Sequence, residues 1–360
     1  MILAVTFQSV MSTIGYILLA LLALMFMVIV HELGHYLAGK ILGFKILEFS
    51  IGFGPAIFKR TNKKTGELFS IRPIPLGGFC QFEGEDEAGN ESPTAFNNQA
   101  PWKRLIVLFS GAFFNLISGW IIIVIFFSAY GQVLPQIAEV YDTSANVGVL
   151  QQGDVFLRVD GKQSNVLLPE DATALFKDTD DQINVVVLRD GKRVKLTLTK
   201  AEYTVTNTET GEVTTNYGFG FSSYVGVKKL PFHLALGRSF SFMFFLVYKI
   251  LAVLGSLVTG KMGMDSVGGP VTTISVMSEA ASGGIAMLSY VICIVSANLA
   301  VMNLLPLPAL DGSRMVFCLI EWIFKKPINR KVEGIIHTVG IILLFGFAIF
   351  ADVFRYFIAK

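Results

Sequence analysis

The chain has 360 residues, 53% of them hydrophobic and only 16% charged, with a mean hydropathy of +0.60. A soluble domain carries about 25% charge, so this composition excludes an ordinary soluble protein and indicates a polytopic membrane protein. A net charge of +2 gives no case for a nucleic-acid partner. Cys80, Cys293 and Cys318 form neither a disulfide framework nor a CxxC metal site, and read as packing residues.

The first apolar run, about 11–37, exceeds the roughly 20 residues a bilayer span needs. No basic residue precedes Lys40 and no small-residue cleavage site follows, so it reads as a retained transmembrane helix and not a signal peptide. Further spans are predicted at about 104–129, 285–305 and 335–357. The stretch at about 232–259 is also apolar, but it carries His233, Arg238 and Lys249 and is thinned by Gly255 and Gly260. It fits a span or an amphipathic helix lying in the interface.

Charge orders these elements. The 40–104 loop is basic from Lys40 and Lys45 through Lys59, Arg60, Lys63 and Lys64 to Lys103 and Arg104, and the 306–334 loop carries Arg314, Lys325, Lys326, Arg330 and Lys331. The positive-inside rule puts both loops in the cytoplasm. Both termini and the 130–230 segment then face outward. That parity requires four crossings, with 232–259 not among them.

Within the first cytoplasmic loop, Phe49–Pro55, Leu68–Arg72 and Ile74–Phe79 read as short strands broken by glycine and proline, and Glu83–Glu91 as an acidic loop. Segment 130–225 is polar and β-rich. QINVVVLRDGKRVKLTLT is a hairpin turning at Arg189-Asp190-Gly191-Lys192, and Val159-Asp160-Gly161-Lys162 is a second turn. Asp171–Lys177 fits a short helix, and Thr204–Thr215 an exposed loop. Together these make a small domain inserted between the second and third spans.

His31-Glu32-Leu33-Gly34-His35 ends the first span and fits H-E-x-x-H. Positions i and i+4 share a helix face, so both imidazoles can bind one zinc ion, with Glu32 placed to act as general base on a bound water. Ionisable groups at membrane depth are costly and mark functional sites. A catalytic zinc needs a third protein ligand. His233 and His337 are distant and isolated and read as structural. Asp311, in Asn303-Leu304-Leu305-Pro306-Leu307-Pro308-Ala309-Leu310-Asp311-Gly312, follows the third span on the same side of the membrane as His35. Two prolines break the helix there, and broken backbone at membrane depth lines a cavity. On spacing alone, Asp311 reads as a turn aspartate before Gly312.

The HELGH and NLLPLPALDG motifs, in this order and topology, resemble the site-2 protease family of intramembrane zinc metalloproteases, and within it the bacterial group of the regulator of sigma-E protease. Phe53-Gly54-Pro55, Ser110-Gly111-Ala112-Phe113-Phe114-Asn115, Gly269-Pro270 and Glu333-Gly334-Ile335-Ile336-His337 extend the resemblance over nearly the whole chain. It implies His31, His35 and Asp311 as zinc ligands, Glu32 as catalytic base, and Asn303 and Asn115 as groups that hold an unwound substrate. Residues 46–80, with Phe53, Gly54 and Pro55, correspond to a membrane-associated β-hairpin-like loop that pairs with the substrate.

The implied fold class is a polytopic α-helical membrane protein with four transmembrane helices and an inserted PDZ-like domain. Residues 1–131 hold the first two spans and the β-loop, 132–225 the extracytoplasmic PDZ-like domain, 226–284 a membrane-associated amphipathic helical region, and 285–360 the last two spans. Gln136–Val140 and Leu150–Val155 match the PDZ pattern, whereas Ser144-Ala145-Asn146-Val147-Gly148 departs from its usual Ser-Pro-Ala…Ala-Gly run, and Ala112 stands where the family often has proline.

The implied activity is cleavage, inside the bacterial inner membrane, of single-span proteins such as anti-sigma factors or signal-peptide remnants. An upstream site-1 protease trims the same substrate first. A non-catalytic PDZ-containing adaptor or receptor is the alternative of a different class; it needs neither Glu32 nor zinc. A transporter would spread polar residues along several spans, and only Asn115, Asn303 and the HELGH cluster qualify.

Overall fold

The computed structural model describes residues 7–85, 92–206, 210–263, 266–326 and 328–358. The C-terminal part of the expected 83–91 acidic loop therefore lies outside the described residues. The chain divides into two units, Met1–Ile123 with Leu246–Lys360, and Val124–Phe245.

Uninterrupted apolar sequence makes the first unit helical. Helix α1 (Phe7–Leu42) is 36 residues long, about 54 Å at 1.5 Å per residue, so the HELGH motif lies on a helix that outruns a bilayer's hydrocarbon core. A four-stranded sheet follows: β1 (Ile46–Phe53), β2 (Phe58–Thr61), β3 (Leu68–Ile71) and β4 (Ile74–Phe82), in the order β2-β3-β1-β4. Strands β1 and β3 are parallel and the other pairs antiparallel. The hairpin-like loop expected at 46–80 is thus a larger mixed sheet. Aromatic and aliphatic side chains at the strand ends, among them Phe44, Ile46 and Phe82, pack on Phe96, Val107 and Leu108 and fix the sheet against helix α2 (Pro101–Ala129). Burial raises the Glu48 carboxyl on β1, but hydrogen bonds from Arg72 and Ser70 outweigh it and hold the group below its ordinary range.

Helix α4 (Phe232–Val258) is continuous. Helices α5 (Pro270–Ser282), α6 (Ile285–Leu304), α7 (Asp311–Phe324) and α8 (Arg330–Val353) complete the set. Five helices among the described residues, α1, α2, α4, α6 and α8, are long and apolar enough to cross a membrane, one more than the four crossings expected from charge. The 306–334 segment is not a simple loop, because α7 occupies about half of it. Its mixed polar and apolar residues form two faces: Cys318 and Glu321 are buried while Ile320, Ile323 and Phe324 are exposed.

Helix α5 packs on α1 through Ala20, Met27, Met277 and Ala281. Its N-terminus is capped from a distance. The Asp352 carboxylate of α8 accepts from the backbone N–H groups of Gly269, Val271 and Thr272 and from the Thr272 hydroxyl. One side chain thereby satisfies three of the amides a helix start leaves orphaned.

In the second unit, β5 (Gln132–Val140), β6 (Val155–Val159), β7 (Lys162–Gln163), β8 (Gln182–Arg189), β9 (Lys192–Thr199) and β12 (Phe221–Lys228) form a sheet ordered β12-β5-β6-β8-β9, with β7 paired to β6. Alternation buries Ile137, Phe156, Val159, Val185, Val187 and Leu198 on one face, where Leu175 and Phe176, after the short helix α3 (Pro169–Ala174), complete the core. The β8–β9 hairpin turns where the Asp-Gly pair predicts, with Asp190 at φ 47° and Gly191 at φ 76°. The stretch expected as a loop at 204–215 is instead largely ribbon: β10 (Ala201–Thr206) pairs with β11 (Val213–Gly218). Threonine and valine favour extended backbone even where both faces are wet, so polarity alone misreads this segment.

Candidate metal centre

Helical spacing brings the His31 and His35 rings edge to face, 4.7 Å between centroids. The chain turns sharply after α6, and Asp311 begins α7, where a carboxylate is favoured by the helix dipole. These three side chains meet. His31 Nε2 lies 3.1 Å from His35 Nε2, and Asp311 Oδ2 lies 3.0 Å and 3.2 Å from the two nitrogens. Both histidines are only 7% exposed.

The tautomer of His35 follows from its other nitrogen. Nδ1–H donates to the Val107 carbonyl at 2.8 Å, which leaves Nε2 as a lone pair aimed at the cluster. Two imidazole nitrogens and a carboxylate oxygen converging on one point need a shared proton or a metal cation among them. A tetrahedral zinc with N and O ligands at about 2.0–2.1 Å holds them about 3.3 Å apart. The observed triangle is close to that size, and its donor set of two imidazoles and one carboxylate suits zinc with an open position.

The surroundings leave no slack. A Cβ on Gly111 of α2 would stand 2.5 Å from His35 Nε2 and 2.7 Å from His31 Nε2, and a Cβ on Gly34 would run into the Ser110 carbonyl. The two helices cross at these glycines, which lets the α2 backbone lie directly against the imidazoles. Asn115 is 1% exposed, with Nδ2 3.4 Å from His31 Nδ1 and Oδ1 without a hydrogen-bond partner. Its backbone carbonyl accepts from Ser118 and Ser296.

A cavity of about 520 Å³ opens onto the triad and is lined by Glu32, Asn303 and residues Phe79–Phe82 of β4. Asn115 is not among its lining residues. The Cys80 backbone amide reaches the Glu32 carboxylate. Cys80, expected as a packing residue, is half-buried in this cavity wall, whereas Cys293 and Cys318 are buried. Phe53 stacks on Phe79 at 6.5 Å, and the Gly54 carbonyl accepts from Arg72, which lies over the same Phe79 ring. Pro55 lies in the bend after β1.

Sequence reasoning missed the supports of Asp311. The Ala309 amide donates to His337 Nδ1 at 3.1 Å and thereby steadies a left-handed residue (φ 81°) two positions before the aspartate. At the other end of α7, buried Glu321 receives Arg104 on one carboxylate oxygen and Arg330 at 2.7 Å on the other, tying α2, α7 and α8 together. A carboxylate and two arginines spread over 226 positions give no local signal.

The model of peptidase family M50 matches residues 19–347 of this chain. The chain belongs to peptidase family M50, the site-2 protease family. It is 33% identical over 348 residues to a Clostridium perfringens protein named "Putative zinc metalloprotease", with 94% of this chain and 97% of that one covered. A protein of the same description from Fusobacterium nucleatum subsp. nucleatum is 32% identical over 350 residues (93% and 97% covered), and one from Brucella suis 31% over 388 residues (98% of each). This M50 chain is an integral membrane metalloprotease with zinc as its cofactor.

Proposed function

We propose that this M50 peptidase cuts peptide bonds inside the transmembrane segments of single-span membrane proteins, after an upstream protease has trimmed them. The observation that carries the reading is the convergence of His31 and His35, on a long apolar helix, with Asp311 at the start of α7, beside the outer edge of β4. His31, His35 and Asp311 hold the zinc. Bound zinc supplies a Lewis acid that polarises the scissile carbonyl and lowers the pKa of water toward neutrality.

The chain's own groups do the rest. Glu32 takes the proton of the attacking water and returns it to the leaving amine; the Cys80 amide orients its carboxylate. A membrane helix conceals its carbonyls in internal hydrogen bonds, so the substrate must be held extended. The outer edge of β4, with no strand beside it among the described residues, supplies backbone carbonyls for an added strand, Phe53, Gly54 and Pro55 brace that wall through Arg72 and Phe79, and Asn303 holds a substrate carbonyl in the cavity. The expected substrate contact of Asn115 becomes an indirect one. With its amide turned, Oδ1 accepts from His31 Nδ1–H and leaves His31 Nε2 free for the metal.

In this reading the protein lies in the bacterial inner membrane with the metal centre toward the cytoplasm. Helices α1, α2, α6 and α8 cross, α4 lies along the outer surface, and the PDZ-like domain at 132–225 excludes untrimmed substrates by size. The test is cleavage of a single-span model substrate by the full chain in lipid, with metal analysis. Glu32→Gln is expected to stay folded and zinc-loaded and to lose at least about 10²–10⁴ in rate. Clear residual turnover in that variant sinks the assignment.

A further inference from the structure

Arg158, Arg193, Lys195 and Arg238 line one cleft in the Val124–Phe245 unit, with His233 beside them and no aspartate or glutamate in its wall. The cleft measures about 480 Å³. It lies between the N-terminal turns of α4 and the sheet face opposite the hydrophobic core. Strand register explains the clustering. Arg158 on β6 stands opposite Val186 on β8, which stands opposite Lys195 on β9, so the two cations share one row across three strands. Arg193, two residues before Lys195, points to the same side.

Arg238 is structural. It is 6% exposed, and its three nitrogens donate to the Gln132 side chain and the Leu157 and Ser164 carbonyls. None of these acceptors is charged, so its positive charge is undiminished. Arg158, Arg193 and Lys195 are exposed and form no ion pair among the described residues. Like charges gathered without a counter-ion cost free energy, and nothing in the folding of the sheet requires them. Elsewhere in the same unit Arg189 is paired with Asp154.

The helix that roofs the cleft carries a second feature. Phe232, Leu236, Phe240 and Phe244 are spaced by one turn and exposed by 64%, 39%, 57% and 60%. An exposed aromatic stripe beside a basic cleft is the pattern of an element lying at a lipid surface. We infer that this cleft binds the phosphate headgroup of an anionic phospholipid, with the acyl chains lying along the Phe232–Phe244 stripe. A free anion or an acidic peptide would account for the cleft but make no use of the adjoining stripe. A lipid answers both with one molecule.

The test uses the full chain in nanodiscs of phosphatidylcholine containing phosphatidylglycerol as a minor component. After extraction into detergent, native mass spectrometry counts the retained lipids. Wild type is expected to keep phosphatidylglycerol in preference to phosphatidylcholine. A basic side chain near an anionic surface contributes about fivefold, so Arg193→Gln/Lys195→Gln lowers this retention on the order of twentyfold, and Arg158→Gln about fivefold. Lys162→Gln/Lys177→Gln, the same charge change at exposed residues outside the cleft wall, keeps it. The inference is overturned by equal retention of the two lipids, by equal losses in the two double variants, or by inorganic phosphate or an acidic peptide fully displacing the lipid.

Discussion

Arg238 and the His31–His35–Asp311 group are both buried polar clusters, built on opposite plans. Around Arg238 every side-chain nitrogen has its own acceptor, and the arrangement is complete as it stands. Around Asp311, three potential ligand atoms gather within 3.0–3.2 Å of one another, and the arrangement offers one point at which a metal ion could sit. Burial therefore does not distinguish a functional cluster from a structural one; the convergence of several ligand atoms on one point does. The same contrast separates Arg189, neutralised by Asp154, from its unpaired neighbours Arg158, Arg193 and Lys195.

Three substitutions set the two plans against each other. Asp311→Ala removes one corner of the triangle. Zinc content is expected to fall well below one per chain and cleavage by at least about 10³-fold, with the helices intact by circular dichroism. Full zinc loading in this variant would mean that the convergence is incidental. Gly111→Ala leaves all three donors in place but forces a methyl against both Nε2 atoms. An offset of the order of 1 Å costs about 10²-fold in rate, while alanine raises helix propensity; lost turnover without lost helicity is the expected pair of readings. Arg238→Gln acts on the complete cluster. Leaving its buried acceptors short costs about 2 kcal/mol, visible as faster hydrogen exchange in β5 and β6, with zinc content unchanged. A change in metal content here would dissolve the distinction.

The legible parts of the molecule were those encoded over short spans of chain. HELGH gives its geometry through helix periodicity alone, and Asp190-Gly191 places a turn because both positions adopt left-handed backbone. Asp311 was ambiguous until the fold brought it to the histidines. What remained hidden depends on close approach between distant segments: Gly111 against the imidazoles, His337 holding Ala309, Glu321 gathering two arginines, Asp352 capping α5. None of these leaves a periodic trace, and a glycine needed for a helix crossing looks like any other glycine. The β10–β11 ribbon was hidden for a different reason, since threonine is both polar and strand-forming.

Asp352 anchors the start of α5, which packs on α1, from 80 positions further along the chain. Asp311 comes 276 positions after His35. During synthesis, then, α1 meets α2 early but waits much longer for α5 and for the third corner of its metal site. A ribosome-bound or C-terminally clipped chain holds two histidines and a base but no finished centre. The metalloprotease is thereby without its complete metal site until synthesis has passed Asp311.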